Sequence, residues 1–164
     1  MSVDFSFGIW QIDDDHNFIG QLLAKLETDQ DGPHAPELTG EVLADLYGHS
    51  FSHFNYEEAL MQVTGFPDAQ EHRQEHQEII KCLNDLLEQS TTQSGQSLGH
   101  DIIEIINDGI IRHTDNLDRE FSTWFSNKRW DTEDVERFKK LITAKDARPK
   151  RSQPDGADKS GAQS

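Results

Sequence analysis

Four long stretches of the chain place apolar residues three and four positions apart, the spacing of one helix face rather than of a strand. The first runs from about Asp13 to Glu27 with Ile19, Leu22, Leu23 and Leu26 on one side, and the breaker-rich DQDGPHAP follows. The second runs from about Glu37 to Thr64 with Val42, Leu43, Leu46, Leu60 and Met61; Gly65 and Pro67 stop it, and Asp68 stands where it can cap the next helix. The third spans about Ala69 to Glu88 with Ile79, Ile80, Leu83, Leu86 and Leu87, before the polar loop SGQSLG. The fourth covers about His100 to Phe125, where Ile102, Ile103, Ile106, Ile110, Leu117 and Phe121 form the stripe. A shorter fifth helix starts near Asp131 and carries Val135, Phe138, Leu141 and Ile142. No strand alternation and no internal repeat is visible. The pattern predicts an all-α fold, an up-down-up-down four-helix bundle over residues 1–128 with a short helical extension over 129–145.

Composition narrows the picture. The chain has 164 residues, 34% of them apolar and 28% charged, enough for one domain with a real core. Its last 19 residues, DARPKRSQPDGADKSGAQS, are almost free of apolar side chains and read as a disordered tail over 146–164. That tail carries a net +1 of the chain's −16, so residues 1–145 hold −17. So acidic a surface repels phosphate backbones and argues against a nucleic-acid partner. No apolar run approaches membrane-spanning length, and MSVDFSFGIW lacks the pattern of a signal peptide. The single cysteine, Cys82, excludes a disulfide framework and reads as a small core residue. These features predict a cytoplasmic protein with no membrane partner.

The candidate chemistry lies in polar residues that fall on the apolar stripes. His53 and Glu57 are four apart on the second helix, with Leu60 extending their face. His72 and His76 are four apart on the third, and Ile79, Ile80 and Leu83 continue that side. His113 lies on the stripe of the fourth helix, and His16 precedes Ile19 and Leu23 on the first. Each helix thus aims at least one imidazole at the centre. One such histidine is ordinarily a hydrogen-bonded core residue. Five of them with a carboxylate in one small interior would together cost several kcal/mol to bury unpartnered, a cost that a bound metal removes. The remaining histidines are quieter: His49 sits on a helix face one turn before His53, and His34 and His100 lie in or beside loops.

The hexapeptide EHRQEH at 71–76 fits the H-x-x-E-H of inverted zinc metallopeptidases. That reading needs a further ligand and a cleft beside a sheet, and it leaves His16, His53 and His113 unexplained. Glu75 falls one residue off the His72/His76 face, toward solvent. A ferritin-type centre needs Glu-x-x-His, and no histidine here has Glu three residues before it.

Taken together, HFNYEEALMQVTGFPDAQEHRQEH (53–76), IDDDHNFIGQLL (12–23) and HTDNLD (113–118) resemble the ligand motifs of the hemerythrin family over about residues 5–126. The resemblance implies a four-helix bundle that holds two iron ions (Fe2+/Fe3+) and binds O2 reversibly. It implies that His72, His76 and His113 bind one iron and that His16 and His53 bind the other. Glu57, Asp118 and a hydroxide or oxide would bridge them. Asp118 is not the residue that helical geometry selects: five positions turn about 140° around an ideal helix, away from His113. On spacing alone Asp108 and Asp115 compete with it, and Asp118 requires a carboxylate that reaches around or a local distortion such as a π-bulge.

Three histidines on one iron and two on the other leave one coordination place open for a small molecule. The expected function is therefore oxygen carriage, storage or sensing rather than an enzyme's turnover, with two rivals: a di-iron enzyme reducing peroxide or nitric oxide, and an iron- or O2-responsive interaction module in which the metal only stabilises the fold. Ile106, Gly109 and Ile110 are the candidate O2 pocket. Many family members carry Trp-Leu where this chain has Gly109-Ile110; the exchange puts Ile110 in the place of an apolar gate. Gly109 then either opens a path to the site or leaves room for another side chain, and faster autoxidation is expected.

Overall fold

A computed structural model describes residues 10–28, 35–92 and 100–145. The expected disordered tail and His34 lie outside the described residues. All secondary structure among the described residues is helical: α1 (Trp10–Thr28), α2 (Ala35–Thr64), α3 (Ala69–Thr92), α4 (His100–His113), a π-helical turn (Thr114–Asp118), α5 (Arg119–Ser126) and α6 (Thr132–Lys145). The expected fourth helix is thus one rod interrupted by the π turn. α1 packs against α2 and α4, and α3 packs against the same two helices, which closes the four rods into a bundle.

The chain reversal between α2 and α3 is written in the sequence. Gly65 adopts φ +68°, a conformation that costs a side-chain-bearing residue, and Phe66 N–H bonds back to the Met61 carbonyl at 3.0 Å. This is a Schellman closure, reinforced because Phe66 and Met61 share one apolar cluster. The Asp68 carbonyl then accepts the His72 N–H at 3.1 Å, so the first ligand-type histidine of α3 lies within its opening turn.

Two apolar clusters flank the middle of the bundle. The larger joins all four rods through residues such as Leu23, Leu26, Leu43, Leu46, Leu83 and Ile103. The smaller, at the other end, consists of Ile12, Leu60, Met61, Phe66 and Phe121. The layer between them is polar. α6 folds back along α2: Phe138 meets Tyr56 edge-on at 5.1 Å and Trp130 at 6.0 Å. Cys82 departs from its expected place, since it is exposed at the surface of α3 rather than packed in the core. No described helix is long and apolar enough to cross a membrane.

Candidate metal centre

Five imidazoles and two carboxylates occupy the polar layer: His16, His53, Glu57, His72, His76, His113 and Asp118 are each at most 4% exposed. Their rings fall into two groups. His72, His76 and His113 form a triangle with centroids 4.5–4.8 Å apart, while His16 and His53 form a separate pair at 4.6 Å. Phe54 stacks on His76 at 3.9 Å and fixes that ring's plane.

All five Nε2 atoms converge on the two carboxylates. Asp118 lies 3.1 Å from His16, 2.9 Å from His72 and 3.1 Å from His113. Glu57 Oε2 lies 3.7 Å from His53, 3.7 Å from His72 and 3.4 Å from His76. Two sets of donor atoms result, each within a 4.8 Å span: Glu57, His72, His76, His113 and Asp118 make one, and His16, His53, Glu57 and Asp118 make the other. Both carboxylates belong to both sets.

The π turn explains Asp118. An α-helical continuation would have turned it away from His113; the wider i→i+5 turn over Thr114–Asp118 carries both to the interior. Leu117, expected on the inward stripe, is rotated to a half-buried position, and the competitors fall outside: Asp108 is exposed and Asp115 pairs with Arg119 at 3.3 Å.

The outward ring nitrogens meet carboxylates that the sequence reading did not assign. His76 Nδ1–H donates to Glu58 at 3.3 Å, and His113 Nδ1–H donates to Glu75 at 3.2 Å. Asp15 stands 3.6 Å from His53 Nδ1. Glu75, expected toward solvent, is 39% exposed yet bends onto His113. The bonds to Glu58 and Glu75 fix, for His76 and His113, the tautomer that leaves Nε2 as the inward donor atom. The signal was present in the doubled Glu57-Glu58 and in Glu75 beside His76, but helical spacing alone does not show that a carboxylate one position off a face reaches round to it.

The electrostatics are those of a cage that calls for positive charge. Burial lowers His53 despite Asp15, and it brings His76 down to about 3 despite Glu58, so both rings are neutral donors. Burial pulls His113 the same way, but Asp118 and Glu75 outweigh it and raise it. Burial pushes Asp118 up, yet the charge of His113 and the bonds from His113, His16 and His72 hold it well below the carboxylate range. Glu57 has no such support: burial, then the Asp118 charge beside it, raise it well above its ordinary value. Neither Glu57 oxygen has a hydrogen-bond partner among the described residues, nor do His53 Nε2 and His76 Nε2. A fully enclosed carboxylate and imidazoles left without partners are costly unless a cation joins them. Neutral imidazoles with carboxylates suit divalent iron, zinc or copper by donor type.

Residues 8–125 match the family described as Hemerythrin, the hemerythrin HHE cation binding domain. The chain belongs to the hemerythrin family. Among curated relatives, the Bacteriohemerythrin of Pseudomonas aeruginosa is 26% identical over 115 residues, covering 70% of this chain and 73% of the relative. That of Stenotrophomonas maltophilia is 25% identical over 119 residues, 73% of this chain and 76% of its own length. That of Methylococcus capsulatus is 25% identical over 119 residues, 72% and 88% respectively. No solved structure gives a significant match to the chain. The chain is thus a metal-binding, hemerythrin-like protein, and this buried cluster is the candidate site for the metal.

Two spaces adjoin the centre. A cavity of about 10 Å³, room for one water-sized molecule, is bounded by His16, His53 and His113 together with Ile19, Leu23 and Ile110. A larger cleft of about 300 Å³ opens between α3 and α4, lined by residues including Ile79, Cys82, Leu83, Ile106, Gly109 and Ile110. Of the three expected pocket residues, Ile110 borders both spaces, whereas Ile106 and Gly109 line the cleft and not the small cavity. A Cβ added at Gly109 would meet nothing within 4 Å, so no other side chain has taken the space above it.

Proposed function

We propose that the protein binds O2 reversibly at a pair of iron ions. His72, His76 and His113 would hold one iron and His16 and His53 the other, with Glu57 and Asp118 bridging. The observation that carries this reading is the sharing of both carboxylates by two buried donor sets, one with three imidazoles and one with two. Iron held there would supply the electrons that O2 needs to bind, and the unequal histidine count would leave room for it on the side of His16 and His53. The small cavity borders that side through His16 and His53. Its Ile19, Leu23 and Ile110 walls exclude water, and its size limits the guest to one small molecule, which favours a carrier or store over an enzyme acting on larger substrates. Glu58 and Glu75 hold the outward protons of His76 and His113, so that Nε2 stays free for the metal.

Metal analysis of the purified protein is expected to give two irons per chain. Rapid mixing of the reduced protein with O2 is expected to produce a coloured adduct that bleaches under argon. Direct conversion to the oxidised form, with turnover when reductant and peroxide or nitric oxide are supplied, would show an enzyme instead. Metal loading without any O2-dependent spectrum would show a purely structural centre.

A further inference from the structure

The wall of the small cavity beside His16 and His53 holds two hydroxyls that the metal cage does not use, those of Ser50 and Thr114. Ser50 lies on α2, three residues before His53 and so on the same face. It is 1% exposed, and its Oγ has no hydrogen-bond partner among the described residues. Among the described residues Thr39, also on α2, is the other buried hydroxyl in this condition. Several other helical hydroxyls bond back to a carbonyl one turn earlier: Thr64 to Leu60 at 2.8 Å, Ser90 to Leu87 at 2.8 Å, Thr123 to Arg119 at 2.9 Å, and Ser126 to Ser122 at 2.8 Å. This is the default for a mid-helix hydroxyl. Ser50 forgoes it and lines the cavity instead. A buried hydroxyl without a partner costs stability, and an alanine would avoid that cost.

We infer that Ser50 is the ligand-positioning donor of this cavity: its O–H donates a hydrogen bond to the outer atom of a small molecule held there. The molecule is of the O2 class, diatomic and gaining negative charge as it binds, since such a charge is what a buried hydroxyl without a protein partner recognises. Of the remaining wall groups, Ile19, Leu23, Phe54 and Ile110 supply shape but donate nothing, and Thr114, on the π turn, carries a second hydroxyl. This inference rests on the function proposed above and adds a residue to it.

The test compares iron-loaded wild type with Ser50→Ala. O2 release is followed by rapid mixing of the oxygenated protein with an O2 scavenger, in H2O and in D2O. A hydrogen bond to a charged acceptor corresponds to about a tenfold change in an equilibrium. Ser50→Ala is therefore expected to release O2 about tenfold faster and to lose most of the solvent isotope effect. Iron content should stay the same. Urea unfolding of the metal-free proteins should show Ser50→Ala at least as stable as wild type, which a hydroxyl with a structural role would not allow. Release within about twofold of wild type, or a metal-free variant less stable than wild type, overturns the inference. If wild type binds O2 reversibly and the substitution changes nothing, the proposed function stands and only the role of Ser50 falls. If iron-loaded wild type forms no O2 adduct, both fall.

Discussion

Glu58 accepts the outward proton of His76 at 3.3 Å, and its other oxygen lies 3.3 Å from Arg73 Nε. The carboxylate therefore links a half-exposed cation on α3 to the imidazole that faces the metal cage. Such outer partners orient a ligand ring and raise its basicity. Glu58→Gln keeps the shape but replaces the anion with a weaker acceptor. Iron affinity should fall about ten- to hundredfold, measured by competition with a chelator, while helix content is unchanged. Glu75→Gln, acting on His113, should do the same.

Glu57 is the group most opposed to the fold without metal. It is fully buried, its oxygens have no hydrogen-bond partner among the described residues, and its carboxyl is raised by burial and by Asp118. Glu57→Gln removes the ionisable carboxyl, whose charged form burial opposes, without changing the shape. The metal-free protein should gain about 1–2 kcal/mol in chemical denaturation, the range typical when a functional strain is relieved. The same variant should fail to retain a metal pair. Lower metal-free stability in Glu57→Gln would mean that the buried carboxylate supports the fold by itself.

The periodicity of the chain revealed the bundle because its stripes are long and unbroken, and Gly65-Phe66-Pro67 marks a reversal that only a left-handed glycine closes. The five histidines and Glu57 were readable because spacings of three, four and seven keep each on an apolar face. Asp118 was not readable from spacing: nothing in HTDNLD announces a π turn, and a period of 3.6 places Leu117 nearer the interior. Motif resemblance supplied the residue, and the backbone supplied the reason. Cys82 misled because its neighbours Leu83 and Ile79 are on the buried side, whereas the cleft beside Gly109 leaves the thiol exposed. Ser50 carried no signal, since a serine that forgoes its backbone bond looks in sequence like one that makes it.

The metal-free protein should weaken in acid through His76. Its folded pKa is about 3 against an ordinary 6.5, because burial penalises the charged ring. Between those values the unfolded chain binds the proton and the folded chain does not, so stability falls as pH falls. The slope is about 1.4 kcal/mol per pH unit for one such proton. His76→Asn removes this contribution. The stability difference between wild type and variant should therefore shift in the variant's favour as pH is lowered from 6.5, and urea titrations at several pH values measure it. A difference that stays constant across that range would show that His76 is protonated in the fold.

Gly109 offers two separable tests of the cleft. A Cβ at this position meets nothing within 4 Å, so Gly109→Ala should carry no steric cost. It should raise stability by about 0.5–1 kcal/mol, the helix preference of alanine over glycine, read as an increased urea midpoint. Gly109→Trp places an indole in the roughly 300 Å³ cleft, next to Ile110, the residue that separates the cleft from the cavity at His16 and His53. If water reaches the centre by that route, filling it should slow autoxidation of the oxygenated protein, followed as the decay of its visible band. Slower decay in Gly109→Trp with an unchanged rate in Gly109→Ala would assign the effect to filled space rather than to a stiffer helix. Equal decay in all three proteins would place the route of water elsewhere in the bundle.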